Sequence, residues 1–184
     1  MESQQPAATL TSNAIRHGLI LGLISVGLQV AVYVVSIPLM ASIKFAFLSF
    51  IVYMAYIIYA GITYRGEAGG TLVYGKAFQH GFIMLAVSGL VGTVFNFLFY
   101  HVIDPDLPKK LTQAIMDNTE ELLTMFNVPQ DSIDQTLDSM STELPDQFSP
   151  GGLGLGYFKG LFYFAIVALI TALFVKKNPP VTTI

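Results

Sequence analysis

The residues that most resemble a site for chemistry lie in the stretch TYRGEAGGTLVYGKAFQHGF, which places charges and glycines between two apolar runs. Gly70 is followed after four residues by Gly75 and Lys76, which is the spacing of a phosphate-binding loop. Such a loop also needs a serine or threonine after the lysine to hold magnesium, and Ala77 stands there instead. The stretch therefore predicts a turn at its Gly-Gly pair, with Lys76 anchoring the next helix near lipid headgroups.

A second glycine-rich stretch, GGLGLGYFKG, precedes the last apolar run. It lacks the glycine spacing of a dinucleotide-binding fingerprint, and no strand is predicted before it. Its glycines recur every fourth residue instead, and small residues at that spacing let helix backbones approach closely in lipid. We therefore predict helix-packing contacts at seven small residues of the apolar runs: Gly18, Gly22, Ser88, Gly92, Gly152, Gly156 and Gly160.

Groups that could catalyse a reaction or bind a metal are sparse. The chain has no cysteine, which excludes a disulfide, a thiolate zinc site and a cysteine nucleophile. His101, Asp104 and Asp106 are close enough in sequence to hold a cation, but the two aspartates are also expected at the start of a helix. No acidic or basic residue is predicted deep inside an apolar run, where proton relays and aspartyl enzymes need one. We expect no catalytic residue, metal or cofactor, and predict that the protein is not an enzyme.

The elements that must position these residues are apolar helices. Of the 184 residues 53% are hydrophobic and 11% are charged, whereas about a quarter are charged in soluble domains. Uncharged runs of the length needed to cross a bilayer predict four spans within a single integral membrane domain, at about residues 18–40, 45–64, 77–103 and 157–175. A signal peptide is the alternative for the first run, although that run is longer than a typical signal segment.

Four polar side chains inside these spans are candidates for function: Gln29, Tyr53, Tyr56 and Asn96. An amide group is costly to leave unpaired in hydrocarbon, so Gln29 and Asn96 are each expected to hydrogen-bond to a neighbouring helix. In the alternative interpretation all four side chains line a path for a neutral or weakly polar solute.

The acidic residues are concentrated in one segment, since ten of the twelve lie between Asp104 and Asp146. Apolar residues recur there at helical spacing. They predict two amphipathic helices forming an extramembrane hairpin at about residues 105–146, broken at Val128-Pro129. Asp104 is predicted to cap the first helix, with Pro105 at its first position. The following PDQFSPGGLGLG is predicted to be a flexible return into the last span.

Lysine and arginine near the ends of the spans predict the orientation. With both termini inside, five of the nine basic residues face the cytoplasm, and the other four are spread over longer segments. The acidic hairpin then faces the periplasm. The chain lacks a basic surface for nucleic acid.

Several residues together resemble the DUF4199 family of small bacterial membrane proteins. In that family a helix ends in a Tyr-Arg pair, a Gly-Gly turn follows, and an Ala-Phe pair and a glycine begin the next helix. The matching positions here are Tyr64, Arg65, Gly69, Gly70, Ala77, Phe78 and Gly81. FYHVIDPD, residues 99–106, is similar to the family's aromatic helix end. The resemblance covers essentially the whole chain and implies a four-span protein of the bacterial inner membrane, without a catalytic residue to carry over.

The sequence thus predicts an all-α protein, a four-helix transmembrane bundle with an extramembrane amphipathic helical hairpin between helices 3 and 4. The leading functional hypothesis is a non-enzymatic scaffold or accessory subunit that binds a membrane or periplasmic protein through the hairpin. The alternative is a small homo-oligomeric transporter or channel. The expected surroundings are the lipid bilayer and further copies of the chain or a protein partner, without nucleic acid.

Overall fold

The computed structural model describes residues 9–178, and this part of the chain is all-α. The helices are α1 (Leu10–Val35), α2 (Ile37–Met40), α3 (Ile43–Glu67), α4 (Tyr74–Leu98), a π-helical turn (Phe99–Ile103), α5 (Leu107–Met125), α6 (Gln130–Gln147) and α7 (Pro150–Val175). Four segments are long and apolar enough to cross a membrane: α1, α3, α4 with the π-helical turn, and α7. The predicted all-α class with four candidate spans is confirmed.

The four long helices are apolar on all sides. Their most apolar windows have mean hydropathies of 2.0 to 2.2, yet only 17 to 22% of each window is buried inside the chain. Large side chains such as Val34 and Phe162 are 76% and 70% exposed. A helix that is hydrophobic all round requires an apolar environment on its outer side, so these surfaces fit the hydrocarbon of a bilayer.

The first apolar run is interrupted at Ser36. Ser36 is extended, with φ −168° and ψ 117°, and its hydroxyl accepts a hydrogen bond from the Leu39 amide at 3.3 Å. Pro38 lies in the first turn of α2, where its missing N–H is tolerated. In a continuous helix the proline ring would clash with the carbonyl four residues earlier. The segment expected as one span, 18–40, therefore comprises most of α1, an extended residue and the short α2.

The predicted Gly-Gly turn is present after α3. Gly69 and Gly70 have φ values of 90° and 83°, in the left-handed region that favours glycine. The Gly70 amide donates to the Arg65 carbonyl at 2.9 Å, which is the long hydrogen bond of a Schellman helix end. The turn thus satisfies a carbonyl that the end of the helix would otherwise leave unpaired.

The start of α5 differs from the prediction. The cap position is Asp106, Pro108 lies in the first turn, and no side chain caps the helix. The expectation that Asp104 caps this helix with Pro105 at its first position is wrong. Asp104 instead ends the π-helical turn, with its amide donating to the Phe99 carbonyl at 2.9 Å. A residue before proline avoids helical backbone angles, which accounts for the extra residues before α5 begins.

The glycine-rich segment before the last span is also not a flexible return, so that prediction is wrong. Helix α6 continues through Pro145 to Gln147, and α7 begins at Pro150. Ser149 makes this short connection possible, because its hydroxyl accepts from the Gly152 amide at 3.0 Å and donates to the Asp146 carbonyl at 2.7 Å. Proline at the first helical position and a serine cap outweigh the weak helix propensity of glycine.

The described residues form two compact units. The first unit comprises residues 9–23, 51–91 and 160–178, and the second comprises residues 24–50 and 92–159. The core of the first unit is a cluster of buried side chains from all four long helices: Leu21, Ile57, Ala60, Met84, Leu85 and Ala168. The core of the second unit contains Phe99, Tyr100, Leu107 and Leu111.

Hydrogen bonds within the first unit hold the C-terminal end of α7. Leu72 and Lys177 exchange two backbone hydrogen bonds of 2.8 Å. The Arg65 guanidinium donates to the Val175 carbonyl, also at 2.8 Å. A cation at this position satisfies a terminal carbonyl and interacts favourably with the negative end of the helix dipole.

The predicted helix-packing residues differ in their surroundings. A Cβ atom at Gly18 would lie 2.7 Å from the Met84 carbonyl oxygen, and one at Gly22 would lie 2.7 Å from Val91. At Gly152 it would meet the Asp146 carbonyl at the end of α6. At Gly160 the nearest atoms belong to Phe164, on the same helix. Positions Gly92 and Gly156 are open: apart from chain neighbours and the nearby backbone of the same helix, no atom of the described residues lies within 4 Å of the added Cβ.

These contacts predict different costs for the same substitution. Gly18→Ala forces apart two backbones and is expected to destabilise the protein by about 1–3 kcal/mol. Gly92→Ala meets open space and is expected to be neutral or stabilising by up to about 1 kcal/mol, because alanine is the better helix former. Thermal unfolding of both variants in one detergent measures the difference. Equal shifts for the two variants would contradict this assignment.

Candidate functional site

Helices α5 and α6 lie in the second unit and pack against each other. Leu107, Leu111 and Ala114 are buried on α5, and Ile133 and Leu144 are buried on α6. Both helices are amphipathic, because their apolar residues are concentrated on one side. Burial of these sides leaves the acidic residues on the outside.

The connection between α5 and α6 is a tight turn. Asn127 has a φ of 56°, and asparagine is one of the few residues that adopt this conformation readily. The Val128 amide donates to the Leu123 carbonyl at 3.1 Å and closes the end of α5. Pro129 precedes the first residue of α6. The break predicted at Val128-Pro129 is confirmed.

Apolar side chains are exposed at the end of this pair. Leu122, Met125 and Phe126 are 38%, 67% and 69% exposed. We call these three residues the apolar tip. Acidic residues occur beside it in sequence on both helices, including Glu120, Glu121 and Asp131. An apolar patch with a polar rim is the usual composition of a protein-binding surface.

Asp104 makes several contacts at the N-terminal end of α5. Its carboxylate accepts hydrogen bonds from the Tyr33 hydroxyl at 3.0 Å, the Lys110 ammonium at 3.1 Å and the Asp106 amide at 3.2 Å. The Lys110 hydrogen bond lowers the pKa of Asp104 below its ordinary value, and the Tyr33 hydroxyl lowers that pKa further. The same contact with Asp104 raises the pKa of Lys110. The arrangement orients the start of α5 relative to α1.

Of the three residues considered for a cation, the side chains of His101 and Asp104 have local partners. The ring of His101 donates from Nδ1 to the Phe97 carbonyl at 3.0 Å. Asp104 is engaged by Lys110 and Tyr33, and Asp106 occupies the cap position of α5. Across residues 9–178, histidine, cysteine, aspartate and glutamate form no group of three or more that could hold a metal.

The structure brings together two of the four polar residues predicted within the spans. The Gln29 amide donates from Nε2 to Asn96 Oδ1 at 2.8 Å, and both side chains are partly buried in the second unit. Tyr53 and Tyr56 belong to the first unit, where both rings pack against its core. The Tyr56 hydroxyl lies 3.0 Å from His17 Nδ1.

A buried polar cluster in the first unit was not predicted from the sequence. Asn13 is 4% exposed and His80 is 1% exposed. The Asn13 amide donates to Glu67 Oε2 at 3.1 Å, and its oxygen lies 2.9 Å from His80 Nε2. The Tyr64 ring stacks on the imidazole, with centroids 5.0 Å apart and an angle of 9°. Because Asn13 donates to the carboxylate, its oxygen accepts from His80, which assigns the imidazole proton to Nε2.

This cluster joins residues that are far apart in the chain, so spacing alone does not reveal it. The available signal was a histidine at the start of one apolar run and an asparagine before another. Burial makes each hydrogen bond costly to lose, because the remaining group would be left unpaired in an apolar environment. Ser88 differs from this cluster, since its buried hydroxyl has no hydrogen-bond partner among the described residues.

The cluster predicts strong coupling between Asn13 and His80. In a double-mutant cycle with Asn13→Leu and His80→Leu, the two effects on unfolding free energy should differ from additivity by about 0.5–3 kcal/mol. Tyr74→Phe is the control partner for Asn13→Leu, because the Tyr74 hydroxyl donates to the Leu169 carbonyl instead. That pair should be additive within about 0.5 kcal/mol. Additivity in both cycles would contradict a hydrogen-bonded cluster.

The contacts of Asp104 predict that the thermal stability of the second unit depends on pH. Its pKa is lowered in the folded state, so its contribution is present above the ordinary carboxyl pKa of about 3.9 and is lost as pH falls through the folded value. Asp104→Asn should lower the thermal midpoint at pH 7, and the difference from wild type should vanish in strong acid. Asp106→Asn makes the same charge change without those contacts and should have little effect. A deficit that persists unchanged in acid would contradict the assignment.

Comparison with known proteins assigns the chain to a family. A family model described as a protein of unknown function, DUF4199, matches residues 16–177. No curated protein and no solved structure matches the chain. The family match together with four apolar helices indicates a membrane protein. With nearly the whole chain matched, the protein belongs to the DUF4199 family.

Proposed function

We propose that the protein is a non-enzymatic component of the bacterial inner membrane that binds a membrane or periplasmic protein through α5 and α6. The observation that carries this proposal is the apolar tip, whose Met125 and Phe126 are each about two-thirds exposed. Large apolar side chains grouped at one end of a helical pair commonly mark an interaction surface.

Several features support an extramembrane position for α5 and α6. Neither helix is among the four candidate spans of the described chain. The segment containing them holds ten of the twelve acidic residues, and charged groups are costly in hydrocarbon. Acidic residues also disfavour docking on anionic lipid. We infer a hairpin in the periplasm, with both termini in the cytoplasm, as the distribution of lysine and arginine predicts.

The chemistry of the hairpin defines the partner that would fit it. The apolar tip requires an apolar pocket or groove, and the neighbouring Glu120, Glu121 and Asp131 require lysine or arginine around that pocket. Such charge complementarity mainly increases association rate and specificity. It also makes the complex sensitive to ionic strength, because exposed charges are screened.

The alternative of a small homo-oligomeric transporter has weaker support. Its predicted lining includes Gln29 and Asn96, which hydrogen-bond to each other and so satisfy part of each other's polarity. This pairing favours the structural interpretation of the two amides. Tyr56 likewise has His17 as a partner.

One crosslinking experiment tests both the location and the partner. Since the chain has no cysteine, Phe126→Cys introduces a unique thiol for a membrane-impermeant, photoreactive maleimide applied to intact spheroplasts. We expect labelling from outside and, after illumination, a covalent adduct with a second protein that decreases when salt is raised before illumination.

Two matched variants control this experiment. Gln135→Cys, exposed on α6, should label equally without forming the adduct. Ala68→Cys, in the turn after α3, should not label from outside. Absence of labelling at position 126 would refute the periplasmic position. Labelling without an adduct would refute the partner at the apolar tip, and an adduct of twice the protein's mass would assign the tip to a second copy.

A further inference from the structure

A groove in the second unit separates the start of α3 from α5. It has a volume of about 630 Å³, within the range of about 300–1,000 Å³ typical of small-molecule sites. One wall comes from α2 and the first turn of α3, and the other comes from α5. The Asn118 amide donates to the Pro38 carbonyl at 3.3 Å and joins the two walls.

The lining of the groove is mostly apolar and carries one charge of each sign. Its apolar residues include Leu39, Ile43, Ala46, Ile115, Leu122 and Met125. Lys44 and Glu121 also line it, and both are exposed. Among the described residues the ion pair is Lys110 with Asp104, so neither Lys44 nor Glu121 forms a salt bridge with another residue of that part of the chain.

The groove lies at the end of a candidate membrane span, so lipid is the molecule present at high concentration beside it. Helix α3 is a candidate membrane span, and its first turn, containing Ile43 and Lys44, forms part of the groove. A lysine at the end of a span extends its ammonium to the headgroup region while its stem stays in apolar surroundings. The groove therefore opens where the acyl chains and headgroups of the bilayer meet.

We propose that this groove binds a zwitterionic phospholipid with an ethanolamine headgroup. The Lys44 ammonium would contact the lipid phosphate, and the Glu121 carboxylate would contact the ethanolamine ammonium. The apolar walls would cover the upper part of an acyl chain. Phosphatidylglycerol can offer Glu121 hydroxyl donors but no positive charge, and a choline headgroup is cationic but cannot donate a hydrogen bond to the carboxylate. Charge complementarity thus selects the ethanolamine lipid.

The inference depends on α3 being a membrane span and does not require the proposed protein partner. Glu121, Leu122 and Met125 belong to both surfaces, so the residues that distinguish the two proposals are Lys44 and Ala46 for the groove and Phe126 for the apolar tip. Phe126 belongs to the apolar tip alone, whereas Lys44 lines the groove alone.

Native mass spectrometry of the delipidated full-length protein tests the proposal. The probes are phosphatidylethanolamine and phosphatidylglycerol with identical acyl chains, supplied as an equimolar mixture. The wild type should retain one phosphatidylethanolamine in preference to phosphatidylglycerol. Lys44→Gln and Glu121→Gln should each lower phosphatidylethanolamine affinity by about tenfold, which corresponds to one lost charge-assisted hydrogen bond.

Three further variants complete the test. Lys109→Gln and Glu120→Gln make the same charge changes outside the groove and should leave retention unchanged. Ala46→Trp fills the groove and should abolish retention of the lipid. Equal retention of the two lipids by the wild type, or wild-type affinity in folded Lys44→Gln and Glu121→Gln, would overturn the proposal. A protein dimer that forms in place of the lipid complex and is lost in Ala46→Trp would also overturn it, by identifying a second copy as the occupant.

Discussion

The four long helices expose apolar side chains to their surroundings, and this is the constraint on which the rest of the structure depends. Less than a quarter of each apolar window is buried by the protein itself. In hydrocarbon, hydrophobic burial does not drive helices together, so packing and internal hydrogen bonds must hold them. Every backbone N–H and C=O in such a segment also needs an internal partner. The first requirement accounts for the close contacts at glycines. The second accounts for the hydrogen bonds made to the terminal carbonyls of the helices.

The helix ends are closed by different means. Two glycines with positive φ end α3, Asn127 ends α5, and the Arg65 guanidinium binds the last turn of α7. The Leu72–Lys177 pairing gives the segment after α7 backbone partners as well. In each case a local choice of residue satisfies carbonyls that the helix leaves free. The loops can therefore be short without leaving polar groups unpaired.

Several polar side chains in each unit are hydrogen-bonded to one another. In the first unit, Glu67, Asn13 and His80 form a chain of hydrogen bonds. In the second, Gln29 donates to Asn96, and Asp104 accepts hydrogen bonds from Tyr33 and Lys110. These groups, which would be costly to leave unpaired in an apolar environment, occur with partners, whereas the buried Ser88 hydroxyl has none among the described residues. The charged residues of α5 and α6 instead face outward. The large apolar residues exposed beside them are those of the apolar tip.

Composition and the lengths of the uncharged runs are sufficient to predict the all-α class and the four apolar helices, because a bilayer allows few alternatives to a long hydrophobic helix. Local turn chemistry likewise predicts the break at Gly69–Gly70 and the break before α6. The start of α5 and the return into α7 required the structure, since proline and glycine are compatible with both a turn and the first turn of a helix. The Asn13–His80 contact and the groove at Lys44 were decided by tertiary packing alone. Each joins residues separated by more than 60 positions, and no periodic pattern encodes which side chains meet across such a distance.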